Sequence, residues 1–234
     1  MSITVNANLF RIVSAFVSIE QARPYLQGVS IEPHPHWPGV TLTATDGHRL
    51  LSVYDAAGSA SRAAIIALPK DNLKACKPAK TDHARTLQIE FGEAKTDTRA
   101  TILAAPANDA ENAHPVAMAP RCEIDGSFPD WRRVAPCFPD GQTLSDAMGD
   151  IAYNATYITT FATAARELAQ HLDTYRRDSG RLRIRQNGGA PALITFCNFP
   201  DAFGALMPMR SDKGLPELPE FLRTTPAQAQ QAAE

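Results

Sequence analysis

Ala44-Thr45-Asp46-Gly47-His48-Arg49-Leu50 reads as the junction between two strands. Asp46-Gly47 is a tight-turn pair: glycine takes positive φ without penalty, and aspartate bonds its own backbone two residues on. Val40–Thr45 before the turn and His48–Tyr54 after it have strand composition. Upstream, Tyr25–Pro33 is a third strand, separated by the loop Pro33-His34-Pro35-His36-Trp37-Pro38-Gly39. Upstream again, Leu9, Phe10, Ile12, Val13, Phe16 and Val17 recur at helical spacing, so Asn6–Ile19 is a helix capped by Asn6 or Asn8.

Downstream, Ala63–Leu68 is a strand and Lys70–Lys77 a short helix ended by Pro78. Leu87–Phe91 and Ala100–Ala104 form a hairpin pair, residues 106–115 a polar loop, and Val116–Ile124 one more strand. Helix followed by strands occurs twice, as in a repeated unit. The class is α+β with mostly antiparallel pairing. Residues 137–150 form a linker rich in Pro, Gly, Asp and Ser. Asn154 then caps a helix carrying Ile158, Phe161, Ala165, Leu168, Leu172 and Tyr175 on one face. Arg181–Gln186, Ala192–Phe196 and Ala202–Met207 are the last strands, with Asn187-Gly188-Gly189 turning between the first two. The tail after Arg210 is rich in Pro, Ala, Gln and Glu, which predicts disorder at least beyond Arg223.

Bulk properties narrow the function. The net charge of −2 argues against coating DNA by overall positive charge. No apolar run approaches the roughly 20 residues that span a bilayer, so no membrane association is expected. The N-terminus lacks the pattern of a secretory leader. Cys76, Cys122, Cys137 and Cys197 are scattered without a C-x-x-C pair and read as reduced thiols, which together predict a cytoplasmic protein.

Three segments resemble, in order, the bacterial DNA sliding clamp, the β subunit of DNA polymerase III: ATDGHRL (Ala44–Leu50), DGSFPDWRRVAP (Asp125–Pro136) and ALMPMR (Ala205–Arg210). YNATYI (Tyr153–Ile158) is a weaker fourth match. The resemblance implies a DNA clamp fold, with helices on one face of antiparallel sheets. Residues 1–136 resemble the family's complete middle domain and 151–211 the second half of its last domain, with 212–234 as a tail. It finds no counterpart of the family's first domain, nor of the first half of the last domain, where only residues 137–150 stand. The family closes its ring by joining first and last domains, so that joint is not expected here; more subunits or a new interface would be needed.

The resemblance further implies a non-enzymatic, cofactor-free processivity factor of DNA replication or repair. Its expected partners are clamp-binding-motif peptides of DNA polymerase and clamp loader, the double-stranded DNA backbone, and further copies of the chain as a homo-oligomer. The peptide cleft carries over onto Leu26, Thr45, Gly47, His48, Arg49 and Leu50, then Pro129, Arg133 and Val134. Asn154 and Tyr157 follow, and Ala205, Leu206, Met207, Pro208, Met209 and Arg210 complete it. The residue types suit the task. Leu26, Leu50, Val134, Leu206 and Met207 would receive leucine and phenylalanine side chains, methionine adapting its shape to each. Arg133 and Arg210 would bond peptide carbonyls or a carboxylate. Taken singly, Asp46-Gly47 is an ordinary hairpin turn and Leu50, Val134 and Leu206 are ordinary core; the family match raises the cleft reading above that.

Phosphate contacts are expected from Arg11, Lys70, Lys74, Lys77, Lys80, Arg166, Arg176 and Arg177, which would otherwise be solvated helix faces. Arg181, Arg183 and Arg185 alternate on one strand face, and the sequence does not choose between an exposed face, a partner site and a DNA contact. A second reading is a clamp-derived interaction protein that competes for clamp-binding peptides without encircling DNA. A third, a metal-dependent enzyme, would use His34, His36, Asp46 and His48; the loop setting of the first two argues against it. Finally, Leu215-Pro-Glu-Leu218-Pro-Glu-Phe221-Leu222 offers an apolar, acidic stretch that could fold back onto the cleft.

Overall fold

The computed structural model describes residues 1–94, 97–106, 112–135, 151–171 and 180–209. Asn6 organises the start. It ends strand β1 (Ser2–Asn6), and its Oδ1 accepts from the amides of Asn8 and Leu9 at 3.0 and 3.1 Å, capping helix α1 (Ala7–Ser14). β1 is an element the sequence reading missed; its signal is the alternation that buries Ile3 and Val5. α1 is shorter than the expected Asn6–Ile19. Beyond Ser14 the amides of Ala15 and Phe16 bond three residues back, and Ser18 turns away to donate to the Leu26 carbonyl at 2.8 Å.

Among the described residues the strands form two antiparallel sheets. The five-stranded one has the order β5-β1-β7-β8-β9, with β5 Ser59–Ala60, β7 Asp82–Glu90, β8 Arg99–Pro106 and β9 His114–Pro120. The eight-stranded one has the order β10-β6-β2-β3-β4-β13-β12-β11. There β2 is Val29–Pro33, β3 Val40–Thr45, β4 Arg49–Asp55, β6 Ala64–Ile66 and β10 Glu123–Ile124. The later strands are β11 Leu182–Asn187, β12 Ala190–Phe196 and β13 Ala202–Leu206.

Two expected strands are corrected. Tyr25–Pro33 opens as a 3-10 turn, Pro24–Leu26, because proline starts such a turn readily; the strand begins only at Val29. Val116–Ile124 splits between the sheets as β9 and β10. The break is Arg121, at φ 52, whose amide donates to the Thr98 carbonyl at 2.7 Å.

Helix α2 (Lys70–Ala75) packs against β9, and α3 (Ala155–His171) against α1 and β11. The join that positions the candidate site is β4 with β13, paired from Ala202↔Val53 to Leu206↔Arg49. Through it the segments 29–66 and 182–206 share one sheet, and one continuous core holds Phe10, Leu42, Leu51, Phe161, Ile194 and Leu206. Phe16 and Phe161 meet in that core, their ring centroids 4.9 Å apart. No helix among the described residues is long and apolar enough to cross a membrane.

Candidate functional site

The β3–β4 turn is fixed by its own side chains. Thr45 Oγ1 donates to the Arg49 carbonyl at 2.8 Å and accepts from the Gly47 amide at 3.0 Å. Asp46 Oδ1 accepts from the amides of His48 and Arg49, and its Oδ2 from Arg49 Nε at 2.9 Å. Gly47, at φ 91, supplies the left-handed residue the turn requires. Arg49 is anchored away from solvent: its guanidinium lies 4.9 Å from the Tyr157 ring centroid and 5.3 Å from that of Phe16, and it donates to Thr160 Oγ1. The last strand reaches the same turn. The Met207 amide donates to the His48 carbonyl at 2.8 Å.

A groove of about 230 Å³ opens at this junction. Thr45, Gly47, His48, Arg49 and Leu50 form one wall, and Ala205 and Met207 of the terminal strand the next, joined by Pro191. Arg23, Tyr25 and Leu26 also line it, as do Pro129, Asp130, Trp131 and Val134 of the connecting segment. Trp131–Val134 is a 3-10 turn, moored to β2 by Arg132 Nη1 donating to Glu32 Oε2 at 3.0 Å. Val134 is 49% exposed and Met207 40%, so both present apolar surface to solvent. The Trp131 indole N–H is buried without a hydrogen-bond partner among the described residues.

Other positions carried over from the resemblance do not line the groove. Leu206 is fully buried: alternation along β13 sends Ala205 and Met207 to the groove and Leu206 inward. Arg133 points to solvent beside Asp130, 3.2 Å away. Asn154 serves as a cap, its Oδ1 accepting from the Thr156 amide at 2.9 Å. Tyr157 stands behind the wall, its ring 6.1 Å from that of His48. Pro208 and Met209 lead away from it, the Met209 amide donating to the Ala152 carbonyl at 2.8 Å. Arg210 and the 212–234 tail lie outside the described residues. Sequence reasoning missed Arg23, Tyr25, Asp130, Trp131 and Pro191. Asp130 and Trp131 were inside the quoted DGSFPDWRRVAP segment, and Pro191 follows from the β12–β13 register, which sets Ala192 opposite Leu206.

The candidate phosphate-binding cations are mixed with acids. Arg11 is paired to Glu167 at 3.1 Å and Lys74 to Asp71 at 2.8 Å. Lys70, Lys77, Lys80 and Arg166 are exposed, while Arg176 and Arg177 lie outside the described residues. Arg11, Lys77, Lys80 and Arg85 share a second hollow with Asp82 and Glu167. The Ala79 amide, with help from Arg85, holds the Asp82 carboxyl below its ordinary range despite an opposing burial effect. His171, in the same hollow, is pushed down by burial, with Asp55 opposing. Arg183 and Arg185 are exposed on the edge strand β11, and Arg181 is exposed just before it.

No group of three or more His, Cys, Asp or Glu side chains among the described residues could hold a metal ion. His34 has a structural occupation: its Nδ1 accepts from the amides of His36 and Trp37, and its ring stacks on Trp37 at 4.8 Å.

Neither a protein-family model nor a curated protein sequence matches the chain. Solved structures do. The DNA sliding clamp from Bartonella birtlesii, bound to griselimycin, superposes with a TM-score of 0.53 at 18% identity, covering 90% of this chain and 66% of that one. DNA polymerase III subunit beta from Borrelia burgdorferi, in complex with a natural product, gives 0.56 at 12% identity, covering 90% and 64%. The Pseudomonas aeruginosa sliding clamp gives 0.56 at 15%, covering 90% and 67%. The chain has the bacterial sliding-clamp fold and spans about two thirds of the length of these proteins.

Proposed function

We propose that this chain is a non-catalytic, sliding-clamp-like adaptor of DNA replication or repair. Its groove at the β4–β13 junction holds a short peptide segment of a polymerase or clamp-loader protein. The supporting observation is the convergence itself: the β3–β4 turn, the connecting segment and the terminal strand, far apart in sequence, meet in one largely apolar groove. Leu26, Leu50, Val134 and Met207 form a surface that accepts a leucine and a phenylalanine. Burying two such side chains contributes roughly 3–6 kcal/mol before ordering costs, a grip suited to exchange. Arg23, loosely held near Glu20, supplies donors for backbone carbonyls. Residues 1–136 act as one clamp-like domain and 151–211 as half of another.

Binding of a fluorescein-labelled peptide carrying adjacent leucine and phenylalanine, followed by polarisation, tests this reading. Micromolar binding that Met207→Asp abolishes is expected; no binding, or binding indifferent to that substitution, would overturn it.

A second reading, an adaptor that does not encircle DNA, is favoured by one observation: Arg11 and Lys74 are already paired with carboxylates. Retention on circular DNA with release on linearisation would select the encircling form. A chain that binds peptide but is not retained would select the other.

A further inference from the structure

The groove lies where the described chain ends. Met207 is part of its wall, and Met209 is the last described residue. Residues 210–214 then lead to Leu215-Pro216-Glu217-Leu218-Pro219-Glu220-Phe221-Leu222. Nine residues separate Met209 from Leu218, a reach of up to about 30 Å when extended, which is enough to bring Leu218 and Phe221 back to the groove. We infer that residues 215–222 are the groove's resident occupant, an intramolecular competitor that an incoming peptide must displace. This rests on reading the groove as a peptide site.

Three features of the two partners match. The segment carries Leu218, Phe221 and Leu222, the side-chain classes that the Leu26, Leu50, Val134 and Met207 surface accepts. Its charges are Glu217 and Glu220, with no base from 215 to 222. Of the two arginines lining the groove, Arg49 is paired with Asp46, whereas Arg23 is held only loosely, 3.8 Å from Glu20, and the lining acid Asp130 lies 3.2 Å from Arg133. Pro216 and Pro219 each have φ fixed by their ring, which lowers the entropy cost of ordering the segment.

The tether supplies the rest. A short linker presents the segment at an effective concentration of about 1 mM. A segment with an intrinsic Kd of about 100 μM would then fill most grooves and weaken a competing peptide about tenfold. The tail would thus set a threshold that only a better-fitting partner crosses.

The full-length chain is compared with full-length Leu218→Ala/Phe221→Ala/Leu222→Ala, using the labelled leucine–phenylalanine peptide as probe. The substituted protein should bind the probe about tenfold tighter. A synthetic peptide of residues 213–224 should displace the probe from it. Equal affinities for the two proteins would overturn the inference while leaving the groove reading intact. Tighter binding without displacement by the 213–224 peptide would also overturn it, placing the tail's effect elsewhere. Failure of both proteins to bind the probe would remove the groove reading and this inference with it.

Discussion

Phe161 of α3 occupies the space that a side chain at Gly204 of β13 would need: a Cβ built there would lie 2.3 Å from Phe161 Cε1 and 3.1 Å from the Leu50 carbonyl oxygen. The same ring packs on Phe16 of α1. One aromatic side chain therefore holds α3, α1 and the terminal strand together. Gly204→Ala should destabilise the fold by about 1–3 kcal/mol, the usual cost of overpacking a core. A drop of several degrees in Tm is expected, partly restored by adding Phe161→Leu. An unchanged melting temperature would mean that the ring does not rest on that strand.

Groove-lining positions and the buried neighbour Leu206 of β13 should separate binding from stability. Met207→Ala and Val134→Ala remove half-exposed apolar surface and should each weaken peptide binding about 5- to 30-fold, with little change in melting. Leu206→Ala empties a fully buried site and should cost about 2–5 kcal/mol of stability. Polarisation and thermal melts on the same preparations check the contrast. A Met207→Ala protein that melts early but binds normally would reverse the assignment.

Thiol labelling should be selective. Burial pushes the Cys76 thiol up to about 12 and the Cys122 thiol to about 11, so neither supplies thiolate near neutrality. Cys197 is exposed. Iodoacetamide at pH 8, followed by peptide mass spectrometry, should modify Cys197 in the native protein. Cys76 and Cys122 should react only after denaturant is added. Fast native labelling of Cys76 would contradict its burial.

Acid should weaken the fold through His171. Burial holds its imidazolium pKa below the ordinary 6.5, Asp55 offsetting part of the effect. Above that value both folded and unfolded states carry neutral imidazole, and the group contributes nothing to pH dependence. As pH falls below 6.5 the unfolded chain takes up the proton first, so stability declines until the folded pKa is passed. Urea unfolding at pH 7.5 and 5.5 should show the loss, and His171→Gln should flatten it. Equal slopes with and without His171 would remove this account.

Much of this arrangement was legible in the sequence, for reasons that differ by residue. The antiparallel α+β class and the pairing of β3 with β4 follow from Asp46-Gly47 between two apolar runs. Leu26, Leu50, Ala205 and Met207 were brought to one groove by likeness to a clamp segment, since no local pattern relates positions so far apart. Leu206 shows the limit of carrying over a whole hexamer: strand alternation assigns it to the core once Ala205 faces outward. β1 escaped notice because five residues with two buried side chains give too short a period. Tyr25 was missed because its stretch read as a strand, and Arg23 because it preceded that stretch; Pro24 instead opens a 3-10 turn, and both residues line the groove.

The pairing of β4 with β13 also has a consequence for biosynthesis. At about 5–20 residues per second, roughly 7–30 s separate the emergence of these two strands from the ribosome. Throughout that interval the nascent chain would present β4 as an open edge, a template for pairing with the wrong neighbour. Prematurely terminated products would carry that sticky edge permanently and lack any competent groove. Chaperone dependence during expression should accordingly track how soon the final strand is made.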